Sequence, residues 1–131
     1  MKIYVFGNED SEIDNRAIEV VKNLKKNKNI DFIFVKPNED VPPSERLLIL
    51  IDTVVGLEEV TLLTEKDLEK LTPMTRGTAH DYDLGFQLKY LIKLGKLKKV
   101  TIIGLPAEGE IDYERIQSIL RKLVAQDIQG S

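Results

Sequence analysis

The sequence predicts an α/β fold in three layers, a twisted, mostly parallel mixed sheet of about five strands with helices on both faces. Short aliphatic segments alternate with segments in which apolar residues recur at the 3.6-residue helical period. The run from Leu47 to Ile51 is aliphatic at every position, which is typical of a strand buried on both faces. Glycine or proline follows most of these segments and indicates where each one ends.

The first half of the chain is predicted to hold three strands and one helix. Met1 to Phe6 is a mostly apolar strand, and the Gly7-Asn8 pair after it permits a turn. Apolar residues at helical spacing predict a helix from about Ser11 to about Lys26, with lysines in its last turn, where they suit the helix dipole. Ile30 to Val35 is the next strand, and Leu47 to Ile51 should lie near the sheet centre.

The second half adds the remaining elements. Val60 to Leu63 is a short strand that we expect to return antiparallel at an edge, and the helical stretch Glu65 to Leu71 follows it. A helix from about Asp81 to Leu94, capped by Gly95, then precedes a strand from Lys98 to Leu105, which is expected to end around Gly104 and Pro106. The last helix is predicted over Ile111 to Ala125, with a frayed tail from Gln126 to Ser131.

Composition narrows the class of protein. A chain of 131 residues fits one domain, residues 1–131, and 42% hydrophobic beside 31% charged residues is ordinary for a globular protein. No apolar stretch approaches the roughly 20 residues of a membrane span, and no signal sequence precedes the first strand, so we expect a cytoplasmic protein without a membrane partner. The absence of cysteine excludes thiolate nucleophiles and ligands, and the net charge of −3 gives no case for a nucleic-acid partner.

Several polar features are expected at one edge of the sheet. In open α/β sheets the binding crevice lies outside the carboxyl ends of the strands. Asp52 closes the predicted central strand, Asp14 falls in the first turn of the helix leaving this edge, and His80, the sole histidine, stands at a helix N-terminus. Two carboxylates and one imidazole would suffice to bind a divalent transition metal with positions left open for water or substrate.

Each of these residues also fits a purely structural role. Ser11 and Asp14 match a helix capping box, in which both side chains satisfy free backbone donors. Asp52 follows an aliphatic strand, and aspartate is common in the turns that come after strands. His80 fits a solvated residue before a helix that Asp81 or Asp83 caps. From the residues alone, both interpretations stay open.

The order of these segments resembles the hydrogenase maturation endopeptidases. The resemblance rests on MKIYVFGN with an acid six positions after the Asn, LLILIDTVVG, EEVTLLTEKDLEKL, and TAHDYDLGFQLKYLIKLG leading to VTIIGLP. It spans nearly the whole chain, in the same order. Two features depart from the family pattern, since one acid stands where a double acid and glycines are common, and residues 36–45 form a short polar loop with two prolines.

The resemblance implies a function. Members of this family remove a C-terminal extension from the large-subunit precursor of a nickel-iron hydrogenase after nickel insertion. The resemblance also implies that Asp14, Asp52 and His80 are the catalytic and metal-binding residues, and that cysteines of the precursor carry the nickel. Another divalent metal would suit the same ligands in vitro, and a metal at this place would polarise the scissile carbonyl or activate a water.

Two further functions compete with this one. A non-catalytic docking or chaperone-like protein for hydrogenase assembly would bind the precursor without cutting it. A nucleotide- or phosphate-binding module would rest on Gly7-Asn8 and Gly104 alone, without a phosphate-binding lysine loop or a spaced glycine triplet.

Overall fold

Five strands form one mixed sheet with the order β2-β1-β3-β5-β4. The computed structural model describes residues 1–7, 15–35, 47–54, 56–71 and 88–129. The strands are β1 (Lys2–Phe6), β2 (Asp31–Val35), β3 (Leu47–Val54), β4 (Thr61–Thr64) and β5 (Lys99–Pro106). The pairs β1–β2, β1–β3 and β3–β5 are parallel, and β4 pairs antiparallel with β5 at the edge. The predicted fold class, the central place of β3 and the antiparallel edge strand are confirmed.

Helices cover both faces of this sheet. They are α1 (Arg16–Lys22), a 3-10 helix (Glu65–Leu71), α2 (residues 88–93 in the described part) and α3 (Tyr113–Gln129). None of the described helices is both long enough and apolar enough to cross a membrane.

Alternation along the strands divides the core into two clusters, because successive side chains of a strand point to opposite faces. Leu48 and Leu50 of β3 belong to one cluster, which also holds Leu68 of the 3-10 helix and Leu88 of α2. Ile51 belongs to the other, which contains the buried residues of α1 together with Ile116 and Leu120 of α3. The sheet therefore separates an α2 face from an α1/α3 face.

Two helix boundaries differ from those predicted. α1 ends at Lys22 and not at Lys26, because the Asn23 side chain donates to the Glu19 carbonyl (2.8 Å) and thereby occupies an acceptor of the last turn. α3 continues to Gln129, past the predicted end at Ala125, so residues 126–129 are helical and not frayed. No helix breaker stands before Gly130, and Val124 is buried.

The start of α1 also corrects a prediction. α1 begins at Arg16 with Asn15 as its N-cap, whereas the helix was predicted from about Ser11. Ser11 and Asp14, which the predicted capping box pairs, lie outside the described residues.

Gly104 lies inside β5 and not in a turn after it. It is buried, and a Cβ atom there would lie 2.8 Å from Leu57 Cδ1 and 3.3 Å from the Thr61 carbonyl oxygen. Glycine at this position therefore allows the loop before β4, and β4 itself, to pack closely on β5.

Replacing Gly104 by alanine is expected to lower the free energy of unfolding by about 1–3 kcal/mol, the usual cost of overpacking. Urea unfolding would measure the loss. Leu57 Cδ1 is the end of a flexible side chain, so the same substitution should cost less in a Leu57→Ala background. An equal cost in both backgrounds would mean that the Leu57 contact does not restrict this position.

Candidate active site at the carboxyl edge of the sheet

Asp52 is the predicted site residue that the structure describes. It lies two residues before the end of β3, which continues to Val54, so the prediction that Asp52 closes this strand is wrong. Its register partner on β5 is Gly104, which presents no side chain beside the carboxylate. On the other side, the pairing of β1 with β3 runs through Val5 and Ile51, one residue before Asp52. The Asp52 carboxylate thus stands where β3 extends beyond its pairing with β1.

The Asp52 side chain is half-buried and faces the α2 layer. By strand alternation it shares a face with Leu48, Leu50 and Val54, which pack in the same cluster as Leu88 of α2. His80 precedes Leu88 in the sequence by eight positions. The carboxylate and the helix that follows His80 therefore belong to the same side of the sheet.

Arg16 places the start of α1 at the same edge. Its Nη1 donates to the Ala107 carbonyl (2.9 Å) and its Nη2 to the Gly109 carbonyl, both in the loop that leaves β5. Arg16 follows Asp14 by two positions, so the described chain resumes after Asp14 at the carboxyl edge. Sequence analysis gave no signal for this contact, because Arg16 and Ala107 are 91 positions apart.

Arg115 makes an equivalent contact in α3. It lies in the first turn, and its Nε donates to the Val60 carbonyl before β4 (2.6 Å), while Asp112 Oδ1 caps the helix by accepting the Arg115 backbone N–H (3.0 Å). The first turns of α1 and α3 thus each tie a loop at this edge to a helix. Such ties give a site a rigid support.

Two buried polar atoms in the described residues make no hydrogen bond there, Arg16 Nε and Thr53 Oγ1. Both belong to the carboxyl edge, since Thr53 follows Asp52 and Arg16 holds the loop after β5. By strand alternation, Thr53 faces the α1/α3 layer, on the other side of the sheet from the Asp52 carboxylate.

The other two predicted site residues, Asp14 and His80, lie outside the described residues. No group of three potential metal ligands occurs within the described ranges, which contain only one member of the predicted set. The convergence of the three side chains on one ion therefore remains a prediction.

Comparison with known proteins finds similarity at the level of three-dimensional structure. No protein-family model matches the chain, and no curated protein matches it in sequence. The hydrogenase maturating endopeptidase HybD from Escherichia coli superposes with a TM-score of 0.60 at 15% identity, covering 93% of both chains. An endopeptidase from Escherichia coli solved in solution gives a TM-score of 0.57 at 16% identity, covering 97% of this chain and 93% of that one. The expected family fold is thus confirmed, and the chain has the fold of a hydrogenase maturation endopeptidase.

Proposed function

We propose that this protein is a cytoplasmic endopeptidase that removes the C-terminal extension of a nickel-iron hydrogenase large-subunit precursor after nickel insertion. The observation that carries the proposal is the position of Asp52 in a fold shared with HybD. Asp52 lies on the central strand β3, one residue beyond the last residue that pairs with β1. Asp14 and His80 enter the proposal from the sequence alone, in which Asp14 comes two positions before Arg16 and His80 eight positions before Leu88.

The donor set fits nickel that another molecule already holds. Carboxylate and imidazole are acceptable nickel ligands, but the chain contains one histidine and no cysteine, so it lacks the thiolates that bind such metals tightly. In the proposed complex the precursor's cysteines supply those thiolates, and Asp14, Asp52 and His80 add oxygen and nitrogen donors to the same ion. The nickel is then part of the substrate, and its presence marks a precursor ready to be cut.

The chain's own residues would position the scissile bond and the attacking water. On the β5 side of Asp52, Leu57 and β4 pack closely over Gly104. On the β1 side the described strand pairing stops at Ile51, so a substrate segment would approach Asp52 from that side. The nickel of a bound precursor would polarise a carbonyl or lower the pKa of a water, as metals do in other hydrolases.

Incubating the purified protein with nickel-loaded precursor tests the proposal. Cleavage would shorten the precursor by a single C-terminal fragment, which intact-mass spectrometry detects. A chaperone-like protein would instead co-purify with a precursor of unchanged mass, and that result would replace the endopeptidase by the docking function.

A further inference from the structure

A second charged surface lies away from Asp52. Residues 88–100 contain five lysines and no acidic residue, although the whole chain carries a net charge of −3. With one lysine of the 3-10 helix they form what we call the lysine surface: Lys66, Lys89, Lys93, Lys96, Lys98 and Lys99. All of them are exposed except Lys89, which is half-buried.

A pocket opens within the lysine surface, between the 3-10 helix and α2. It has a volume of about 310 Å³, with Lys66, Lys89 and Lys93 in its walls. Leu68, which is 3% exposed, and Ile92 supply apolar surface at the same place. Its acidic member, Glu65, is already engaged, because Glu65 Oε1 accepts the backbone N–H of Val100 at 3.2 Å. The pocket therefore offers positive charge around an apolar interior.

The backbone between α2 and β5 is held in a defined conformation. The Lys96 N–H donates to the Leu91 carbonyl and the Gly95 N–H to the Ile92 carbonyl, each at 3.0 Å, with Gly95 at φ +75°. This is a Schellman cap, and the buried side chain of Leu97 follows it. The lysines that flank the cap are thus presented from ordered backbone.

We propose that the lysine surface docks a short acidic segment of a partner protein. One apolar side chain of that segment would enter the pocket over Leu68 and Ile92, and its carboxylates would pair with the exposed lysines Lys66, Lys93 and Lys96. This inference goes beyond the proposed function and does not depend on it.

Charge favours a short segment over a long polyanion. Electrostatic interactions between exposed charges are screened beyond about 8 Å at physiological ionic strength, so a short segment responds mainly to the nearby lysines. A nucleic acid or an anionic membrane would extend past the lysines and would also meet carboxylates of the 3-10 helix, such as Asp67, in a chain that is net negative. A planar membrane surface also cannot fill a pocket.

The lysine surface and the candidate active site do not overlap. Lys99 pairs with Leu47 at the start of β3, whereas Asp52 lies five residues further along the same strand. At 3.3 Å per residue this separates the two levels by about 16 Å. A partner docked on the lysines would therefore leave the carboxyl edge open.

Fluorescence anisotropy with the labelled peptide Glu-Glu-Leu-Glu-Glu tests the inference at low salt. The variant with Lys66→Gln, Lys93→Gln and Lys96→Gln should bind this peptide about tenfold more weakly than the wild type. The matched control carries Lys25→Gln, Lys26→Gln and Lys28→Gln, which remove three exposed lysines after α1 and should leave binding unchanged. A peptide with glycine in place of leucine should also bind more weakly, because it cannot fill the pocket.

Three results would overturn the inference. The first is no binding of the peptide by the wild-type protein. The second is equal weakening by both triple variants, which would indicate a general charge effect. The third is tighter binding of duplex DNA or phosphatidylserine vesicles than of the peptide, lost in the variant at Lys66, Lys93 and Lys96, which would assign the surface to a polyanion.

Discussion

Replacing Asp52 by asparagine is expected to slow cleavage of a nickel-loaded large-subunit precursor by about 10²- to 10³-fold, the scale on which removal of one charge-stabilising group acts. Asparagine keeps the shape of the side chain but removes its negative charge and one of its acceptor oxygens. The proposed complex then lacks an oxygen donor to the metal. Time courses of precursor shortening under single-turnover conditions would measure the effect.

The fold should tolerate this change. Asp52 is half-buried and belongs to neither core cluster, so the urea midpoint of Asp52→Asn should lie close to that of the wild type. Asp31→Asn is the matched control, because Asp31 is an exposed strand aspartate at the first position of β2, at the opposite edge of the sheet. Wild-type cleavage rates in Asp52→Asn would remove Asp52 from the site.

Cleavage is also expected to require nickel in the precursor and to require His80. The protein has no thiolate and one imidazole, so it should bind the metal weakly alone and depend on the donors of the precursor. Purified protein should therefore contain little metal by elemental analysis. Nickel-free precursor should stay uncut by the wild type, and His80→Ala should fail to cut even the nickel-loaded form.

Four reactions separate the possibilities, with wild type or His80→Ala acting on nickel-loaded or nickel-free precursor. Shortening in the wild-type, nickel-loaded reaction alone would support the mechanism. Equal shortening in all four would exclude a role for nickel and for His80. Absence of shortening in all four, with the precursor still bound, would favour the chaperone-like function.

Sequence patterns predicted the layers of this fold because burial on both faces leaves a strong signal. From Leu48 on, the aliphatic run of β3 has hydrophobic partners above and below the sheet, whereas Leu47 at its start is exposed. α2 carries Leu88, Leu91 and Ile92 at helical spacing against one cluster. Gly95 was also predictable as a helix cap, since its positive φ suits glycine.

The end of helix α1 depends on a local hydrogen bond, which hydrophobic periodicity does not predict. Leu24 continues the helical pattern beyond α1, but the helix ends at Lys22, where the Asn23 side chain occupies an acceptor of the last turn. The structural role of Gly104 was also ambiguous in the sequence. In sequence it resembles a turn residue, whereas in the structure it provides space for β4 and the loop before it.

The sequence by itself determined the alternation of strands and helices and the central place of β3, because these follow from composition and order along the chain. It offered Asp52 as a candidate site residue. Only the tertiary structure decided that Asp52 lies opposite Gly104 and one residue beyond the β1 pairing, and that Arg16 ties α1 to the loop after β5. The physical reason is that register and long-range hydrogen bonds join residues far apart in the chain, 91 positions apart for Arg16 and Ala107. No local pattern contains such a contact.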